Sequence, residues 1–434
     1  MTDVALESRG CALDLLREIL RRGRPFDDAA DQHPSLRDLE PRDRAFVHLL
    51  TATVLRRLGQ IDAVLLACLD KPGAPTKGDV LDLLRLGAAQ LLFLGTPSHA
   101  AVDTSVALAA TRKLQHYKGL VNAVLRRLAR EGAAMLQGQD AGRLNTPDWL
   151  WLSWRQAYGV GAARAIVEEN LKEAPLDFTV KQGDPAAWAE ALEAQITPTG
   201  SLRRAAGGSV TALPGFAEGA WWVQDMAAAL PARLLGDVAG KRVFDLCAAP
   251  GGKTAQLAAA GGDVTALDRS AKRLERVTEN LARLGLSAQV VAADAADWTP
   301  EDGVLADAVL LDAPCTATGA IRRNPDVARL KTPDDVAKLA RAQGRLLAHA
   351  VDLTRPGGLL VYCTCSLQPE EGETQIERLL AADPRVERSP IDPAEVGGLA
   401  EAINPQGELR THPGMLREQG GIDGFFAARL RRKS

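Results

Sequence analysis

Five apolar runs in the second half of the chain lead into residues that could bind a ligand or react. They are RVFDLC, DVTALD, AQVVAADA, ADAVLLDAP and GGLLVYCTCS. The first run is followed by a turn of small residues, and the other four by polar or thiol side chains. Because ligands of open α/β sheets bind beyond the carboxyl ends of the strands, these residues are the first candidates for a site.

The turn after the first run consists of Cys247, Ala248, Ala249, Pro250, Gly251 and Gly252, followed by Lys253 and Thr254. Such a turn lets a ligand approach the backbone at a helix N-terminus. Gly252-Lys253-Thr254 matches the end of a Walker phosphate loop, but Cys247 stands where that loop needs its first glycine, and no GxGxxG is present. The sequence therefore argues against a P-loop NTPase and against a dinucleotide-binding enzyme.

Two aspartates follow the next two runs. Asp268 stands fifteen residues beyond Lys253, where a carboxylate can accept both hydroxyls of a ribose. Asp294 follows the third run, where it could bind an adenine amino group. Each could instead be only a helix cap. Together with the small-residue turn they predict a nucleoside without a phosphate cradle, which fits S-adenosylmethionine better than ATP or NAD.

Two thiols follow the fourth and fifth runs. Cys315 comes three residues after Asp312, and Cys365 follows Thr364. A buried cysteine is usually an inert small hydrophobe, which is our interpretation of Cys363. Thiols at strand ends beside a methyl donor have a chemical use, because C5 of cytosine becomes nucleophilic only after a nucleophile adds at C6. The pair therefore predicts pyrimidine methylation.

Parallel strands must position these residues. The five runs alternate with helical segments, which is typical of strands buried on both faces by crossover helices. The segment GFFAARLRR predicts a further strand, antiparallel at the edge. Residues 236–434 are therefore predicted to form a doubly wound, Rossmann-like α/β domain.

Two further domains are predicted before it. In residues 1–138 apolar residues recur at spacings of three and four, which predicts an all-α domain. In DVLDLLRLGAAQLLFLG they surround the whole helix, so we expect a buried central helix that ends before Gly95. Residues 145–235 mix helical segments with the strand-like pieces LDFTVKQ, SVTAL and WWVQD, and predict a small α+β domain that binds RNA or links its neighbours.

The net charge of −3, from 52 Lys and Arg against 55 Asp and Glu, gives no hint of a nucleic-acid partner. It hides a strip from Thr104 to Arg130 that has no acidic residue and six cations: Arg112, Lys113, Lys118, Arg126, Arg127 and Arg130. The apolar residues of GLVNAVLRRLAR form a buried stripe, so its arginines must face outward. We interpret this cationic strip as a phosphate-binding surface, with an ordinary solvated helix face as the alternative.

The motifs FDLCAAPGGKT, LLDAPCTATGAIRRNPD, VYCTCSLQPEE and DGFF resemble those of the RNA (cytosine-5)-methyltransferases. HAAVDTSVALA and GLVNAVLRRLAR look like the NusB-like RNA-binding domain that one bacterial branch adds. The resemblance runs nearly from end to end, and its motif set is highly specific. It implies a NusB-like helical domain, a class I methyltransferase domain, S-adenosylmethionine as methyl donor, and small-subunit ribosomal RNA as substrate.

The resemblance also implies roles for single residues. The family's nucleophile carries over to Cys365, and the cysteine that assists product release carries over to Cys315. In this mechanism the Cys365 thiolate adds to C6, C5 takes the methyl group, a base removes the C5 proton, and elimination frees the enzyme. Asp312, also one of the cofactor aspartates, would hydrogen-bond the cytosine near N3 and N4. Lys253 would orient Asp312 or lower a thiol pKa.

The target base must leave its stack to reach these groups, so the RNA should be single-stranded or locally opened. Arg322 and Arg323 follow the catalytic loop and are predicted to hold phosphates near the flipped nucleotide, with ordinary surface arginines as the alternative. The catalytic motifs leave transfer RNA or another ribosomal position open. A non-catalytic RNA-binding assembly factor is the alternative from another class.

Residue patterns also restrict the cellular location of the protein and its contacts with membranes and metals. No apolar run approaches the roughly 18 residues that cross a bilayer, and the first residues lack a signal-peptide pattern. We therefore expect a cytoplasmic monomer that has no membrane contact, with its six cysteines reduced. No cysteine or histidine cluster has zinc spacing, so no metal is expected.

Overall fold

The computed structural model describes residues 3–69 and 78–434, which divide into two compact units. The first contains the chain up to Lys172 and the segment Ile321–Lys331. The second contains Glu173–Ala320 and Thr332–Ser434. None of the described helices is both long and apolar enough to cross a membrane.

The helices of the described residues are, in chain order, α1 (Asp3–Arg22), α2 (Phe26–Asp31), α3 (Pro41–Arg56), α4 (Leu58–Cys68), α5 (Asp79–Leu92), α6 (Ser98–Thr111), α7 (Lys118–Leu136), α8 (Ala141–Asn145), α9 (Asp148–Glu169), α10 (Pro185–Ala191), α11 (Leu230–Arg233), α12 (Gly252–Ala259), α13 (Ala271–Leu284), α14 (Val327–Leu330), α15 (Pro333–Leu353) and α16 (Glu373–Ala382). The strands are β1 (Leu176–Val180), β2 (Gln195–Ile196), β3 (Leu202–Arg204), β4 (Trp221–Val223), β5 (Arg242–Leu246), β6 (Asp263–Asp268), β7 (Gln289–Ala292), β8 (Ala306–Asp312), β9 (Thr354–Thr364), β10 (Val386–Arg388), β11 (Leu409–Thr411) and β12 (Phe425–Arg432).

The first unit is helical, with no strand among its described residues. Its central helix is α5, which is buried along most of its length, as predicted. The helix ends at Leu92, and Gly95 follows with a φ of 61°. Gly87 permits close contact with α7, because a Cβ there would lie 2.6 Å from Cδ1 of Leu125. Helix α9, which the sequence assigned to the middle domain, belongs to this unit, as does α8 in the stretch before that predicted domain.

Helix α7 carries the second half of the cationic strip. Val121, Val124 and Leu125 are buried, while Arg126 and Arg130 are exposed. The predicted buried stripe with outward arginines is confirmed.

A small antiparallel sheet in the second unit has the order β2-β3-β1-β4. Strands β1 and β4 lie in the predicted pieces LDFTVKQ and WWVQD. The prediction of a strand in SVTAL was wrong, because Val210–Ala212 forms a 3₁₀ helix without a buried residue. The Ser209 and Thr211 hydroxyls lie 2.9 Å apart and form a local hydrogen bond, which favours a turn.

The large sheet of the second unit has the order β10-β12-β9-β8-β5-β6-β7, with β11 paired to β12. Strands β5 to β9 are the five predicted runs, and they are parallel. Strand β12 pairs antiparallel with β9, as expected. Its placement at the edge was wrong, because the three-residue strand β10 pairs with its other side.

Both faces of the large sheet are buried. Side chains alternate between two cores, so Val243 and Leu310 face one while Phe244 and Leu311 face the other. This is the doubly wound arrangement predicted from the runs. The carboxyl ends of the five parallel strands meet at one edge of the sheet, where the candidate site lies.

Candidate active site

The small-residue turn connects β5 to α12. Cys247 has a φ of 63°, and Gly251 has a φ of 99° at the start of the helix. A Cβ on Gly251 would lie 3.1 Å from Cγ1 of Val277 in α13, so glycine permits both the left-handed backbone and the close approach of α13. Burial, and the charges of Asp312 and Asp268, raise the pKa of Cys247 to about 12, so this thiol stays neutral.

A cleft of about 820 Å³ lies beside this turn and is lined by Cys247, Asp268, Asp294 and Pro314. Asp268 is 3% exposed, and its Oδ1 accepts a hydrogen bond of 2.9 Å from the Ser270 backbone N–H. Its Oδ2 is buried and accepts no hydrogen bond, although Arg273 Nη1 lies 3.1 Å away. A buried carboxylate oxygen with unused accepting capacity suits a ribose hydroxyl.

Asp294 is exposed in the same cleft. Its Oδ1 accepts a hydrogen bond of 2.9 Å from the Ala296 N–H, so part of its role is to hold a turn. The other carboxylate oxygen has no such bond among the described residues, and it could accept a bond from an adenine amino group.

Asp245, which the sequence did not single out, lies beneath the turn on β5. It is fully buried, and its Oδ2 accepts a 2.5 Å hydrogen bond from the Thr254 hydroxyl of α12. Its Oδ1 has no hydrogen-bond partner. Burial raises the pKa of this carboxyl to about 7, against the opposing hydrogen bond from Thr254. The residue ties the turn to the strand below it.

Lys253 and Asp312 form an ion pair of 2.7 Å at the ends of α12 and β8. Lys253 is 9% exposed. Burial lowers its pKa, but the Asp312 carboxylate and the thiols of Cys363 and Cys365 outweigh burial, so its pKa is raised and it stays charged. Of the two roles considered for Lys253, the direct contact favours orientation of Asp312.

Three thiols lie at the ends of β8 and β9. Sγ of Cys315 and Sγ of Cys365 are 3.6 Å apart, and Sγ of Cys363 lies 3.6 Å from Oδ1 of Asp312. The hydrogen bond to Cys365 and burial raise the pKa of Cys315 well above its usual value. Burial and the Asp312 charge do the same to the pKa of Cys363, which is fully buried. The raised pKa values favour the protonated form of both thiols.

Glu371 joins the two cysteine loops, a role that the sequence did not reveal. Its carboxylate is buried and accepts hydrogen bonds from the Thr316 N–H (3.0 Å), the Ser366 hydroxyl (2.6 Å) and the Gln343 amide (3.0 Å). The Thr316 hydroxyl also donates to it. Burial raises the pKa of Glu371 despite these donors. Because Thr316 follows Cys315 and Ser366 follows Cys365, one carboxylate holds both thiol loops.

The predicted RNA-contacting residues have unequal surroundings within the first unit. Arg112 pairs with Asp14 at 2.7 Å, and Arg127 and Arg130 pair with Glu131 at 3.0 and 3.4 Å. The Arg126 Nε donates to the Asn122 side chain at 2.9 Å. Lys113 and Lys118 are exposed.

The prediction that Arg322 holds a phosphate needs a correction. The side chain of Arg322 is 2% exposed and therefore does not lie on a surface that could meet phosphate. The segment Ile321–Lys331, which carries Arg322, belongs to the first unit. Arg323 is only half-buried.

Among the residues that the structure describes, no group of three or more His, Cys, Asp or Glu side chains could hold a metal ion.

Comparison with known proteins gives matches over both halves of the chain. Residues 232–431 match the family 16S rRNA methyltransferase RsmB/F, and residues 6–130 match the NusB family. The chain is 38% identical over 410 residues to Ribosomal RNA small subunit methyltransferase B of Pseudomonas putida, covering 90% of this chain and 91% of that protein.

Two solved structures show the fold. PH0851 is 23% identical, with a TM-score of 0.77 over 97% of this chain and 98% of its own. NSun6 from Pyrococcus horikoshii, solved with SFG, is 21% identical, with a TM-score of 0.57 over 66% of this chain and 98% of its own.

Proposed function

Because the chain belongs to the RsmB/F family of 16S rRNA methyltransferases, we propose that it transfers a methyl group from S-adenosylmethionine to C5 of a cytosine in small-subunit ribosomal RNA. The observation that carries the chemistry is the pair of thiols, Cys315 and Cys365, 3.6 Å apart at the ends of neighbouring parallel strands. In the nearby ion pair of Lys253 and Asp312, the Asp312 carboxylate can accept a hydrogen bond from the target cytosine.

The cofactor cleft has the donors and acceptors that S-adenosylmethionine needs. When bound, S-adenosylmethionine supplies an electrophilic methyl group. Asp268 would accept hydrogen bonds from the ribose hydroxyls through its buried Oδ2, which accepts no hydrogen bond within the protein. Asp294 would accept a bond from the adenine amino group, and the turn from Cys247 to Lys253 would lie against the ligand.

In the reaction that we propose, Cys365 is the nucleophile. Its thiolate adds to C6 of the cytosine, and the electron pair of the C5–C6 double bond becomes available at C5, which accepts the methyl group. Asp312 accepts a hydrogen bond from the N4 amino group, with its Oδ2 held by Lys253. A base then removes the C5 proton, the C6–S bond breaks, and the thiolate is released.

Cys315 assists that release. Its pKa is raised by the hydrogen bond to Cys365 and by burial, which favours its protonated form. A protonated thiol at 3.6 Å from the departing sulfur can hydrogen-bond to the thiolate as it forms.

The RNA reaches the protein through phosphate contacts and one extruded base. We propose that the exposed Lys113 and Lys118 and the outward arginines of α7 contact phosphates, and that Arg323 does so nearer the target. The middle part of the chain, residues 145–235, would bind RNA or link the other two domains. The protein would act as a cytoplasmic monomer without a metal.

Bisulfite mapping tests the proposal. Ribosomal and transfer RNA from cells with and without the gene are compared at every cytosine. We expect one small-subunit ribosomal cytosine to lose protection without the gene and to regain it when the gene is restored. Loss of protection in transfer RNA, or at no position, would contradict the proposal, the second outcome favouring an assembly factor.

A further inference from the structure

Helix α15 carries three cations that none of the proposed steps uses. Lys338, Arg341 and Arg345 are spaced by three and four residues, so they lie on one face of the helix. All three are exposed. Across the described part of the chain they form no ion pair or hydrogen bond, whereas Arg242, Arg355 and most other arginines of this unit are paired.

The opposite face of α15 fixes this row of cations beside the catalytic loop. Leu346, Leu347 and Ala350 pack into the core on one face of the large sheet. Gln343, on the same helix, donates a 2.9 Å hydrogen bond to the Pro314 carbonyl and a 3.0 Å bond to Glu371. A capping box of Thr332 and Asp335 fixes the start of the helix. The three cations are therefore attached to the element that also holds the Cys315 loop.

The row lines the same cleft as the cofactor aspartates. Lys338, Arg341 and Arg345 form part of its wall, together with Pro314, which directly precedes Cys315. Helix α15 packs against β8 and β9, whereas Asp268 and Asp294 follow β6 and β7, on the other side of β5 in the sheet. The cleft thus has the cofactor aspartates on one side, with Arg269 and Arg273 beside them, and the row of three cations on the other.

The charge of the row indicates its ligand. Seven residues of helix separate Lys338 from Arg345, a rise of about 10 Å. S-adenosylmethionine has a single carboxylate, which one cation could neutralise. Three unpaired cations over this length match a ligand with successive negative charges, as in the backbone of a single-stranded nucleic acid.

We propose that Lys338, Arg341 and Arg345 bind successive phosphates of the RNA strand that flank the target cytosine. The inference rests on the proposed function. Only if the target cytosine reaches Cys365 does the RNA backbone on either side of it pass the cleft wall that contains Pro314 and the three cations. The row would fix the strand locally while the cationic strip of the first unit binds RNA elsewhere.

The test uses the full-length protein with all three cations changed, K338Q, R341Q and R345Q together. RNA binding is titrated without cofactor, over a range of salt, with an unmethylated single-stranded fragment of small-subunit ribosomal RNA. Binding of S-adenosylmethionine is measured separately by calorimetry. The control is Arg378→Gln, an exposed cation on α16 outside the cleft.

We expect the magnitude of the slope of log affinity against log salt to fall by about 2 in the triple variant, because each lost phosphate contact removes about 0.7. The control should keep the slope of the wild type. Binding of S-adenosylmethionine should be unchanged. An unchanged RNA slope in the triple variant overturns the proposal, and a loss confined to S-adenosylmethionine assigns the row to the cofactor carboxylate. If the wild type methylates no cytosine while the slope still falls, the proposed function fails and the RNA contact stands.

Discussion

At the scale of residues, we propose different roles for the two thiols Cys315 and Cys365. Cys315 is half-buried, and its contact with Cys365 raises its pKa well above the usual value, which suits a protonated thiol that assists release. We expect Cys365→Ala to lose all methyl transfer, because no nucleophile would remain for C6. Cys315→Ala should form the C6 bond but release product slowly, and so hold RNA in a covalent adduct.

Denaturing gels with labelled RNA show which variant carries the adduct. The double variant, with both thiols removed, is the control and should show none. An adduct in Cys365→Ala and not in Cys315→Ala would reverse the assignment.

Glu371 allows a second prediction at this scale, about position rather than chemistry. Glu371→Ala leaves three donors of the two thiol loops and the Gln343 amide of α15 without their acceptor, which we expect to cost about 2–4 kcal/mol of stability and to lower kcat. Glu371→Gln can keep its carbonyl oxygen toward the Thr316 N–H and Gln343, and can turn its amide toward the two hydroxyls, which also accept hydrogen bonds.

Glu371→Gln should therefore recover most of kcat, with KM for RNA unchanged in both variants. Methylation rates at saturating RNA, measured well below the melting temperature of each variant, check this. If kcat falls in each variant only in proportion to the fraction of protein that is unfolded, Glu371 has a purely structural role.

At the scale of elements, the turn between β5 and α12 has a pH-dependent stability. Asp245 has a folded pKa of about 7, above the roughly 3.9 of an unfolded chain. The contribution of its protonated form is complete below about pH 4 and is lost as the pH rises through 7. Wild type should therefore lose about 2–3 kcal/mol relative to Asp245→Asn between pH 5 and pH 8.

Urea unfolding of both proteins at the two pH values measures this difference. Asp263→Asn, at the exposed start of β6, is the matched control; it keeps Asp245 and should lose stability between the two pH values as the wild type does. An equal pH dependence in wild type and Asp245→Asn would show that the buried carboxyl is not its source.

The elements also show how far sequence reasoning reaches. The five parallel strands were predictable because each is an apolar run long enough to be buried on both faces. Strand β10 has three residues and no apolar pattern, so the inner position of β12 could not be foreseen. The role of Glu371 depends on Thr316, which is 55 residues away in sequence, and no local pattern encodes that contact. The row on α15 could have been found, since cations at spacings of three and four are visible in the sequence.

At the scale of the whole molecule, a net charge of −3 is compatible with RNA binding because the charges are unevenly used. Many cations are neutralised in place, as Arg112 is by Asp14. Cations without such partners replace the counterions of phosphates most readily, because they give up no ion pair within the protein. Salt dependence should therefore follow the unpaired cations and not the total charge.

This difference can be measured within the cationic strip of the first unit. Lys113 and Lys118 are exposed, and among the described residues they have no hydrogen-bonding or ionic partner, whereas Arg112 binds Asp14 through two hydrogen bonds of 2.7 and 3.1 Å. We expect Lys113→Gln and Lys118→Gln each to lower the slope of log affinity against log salt by about 0.7–0.9. Arg112→Gln should change it less and should instead lower the melting temperature of the protein, because it leaves Asp14 without its cation. Equal slopes for all three variants would mean that the strip binds RNA as a diffuse field, and that pairing within the protein does not decide which cations take part.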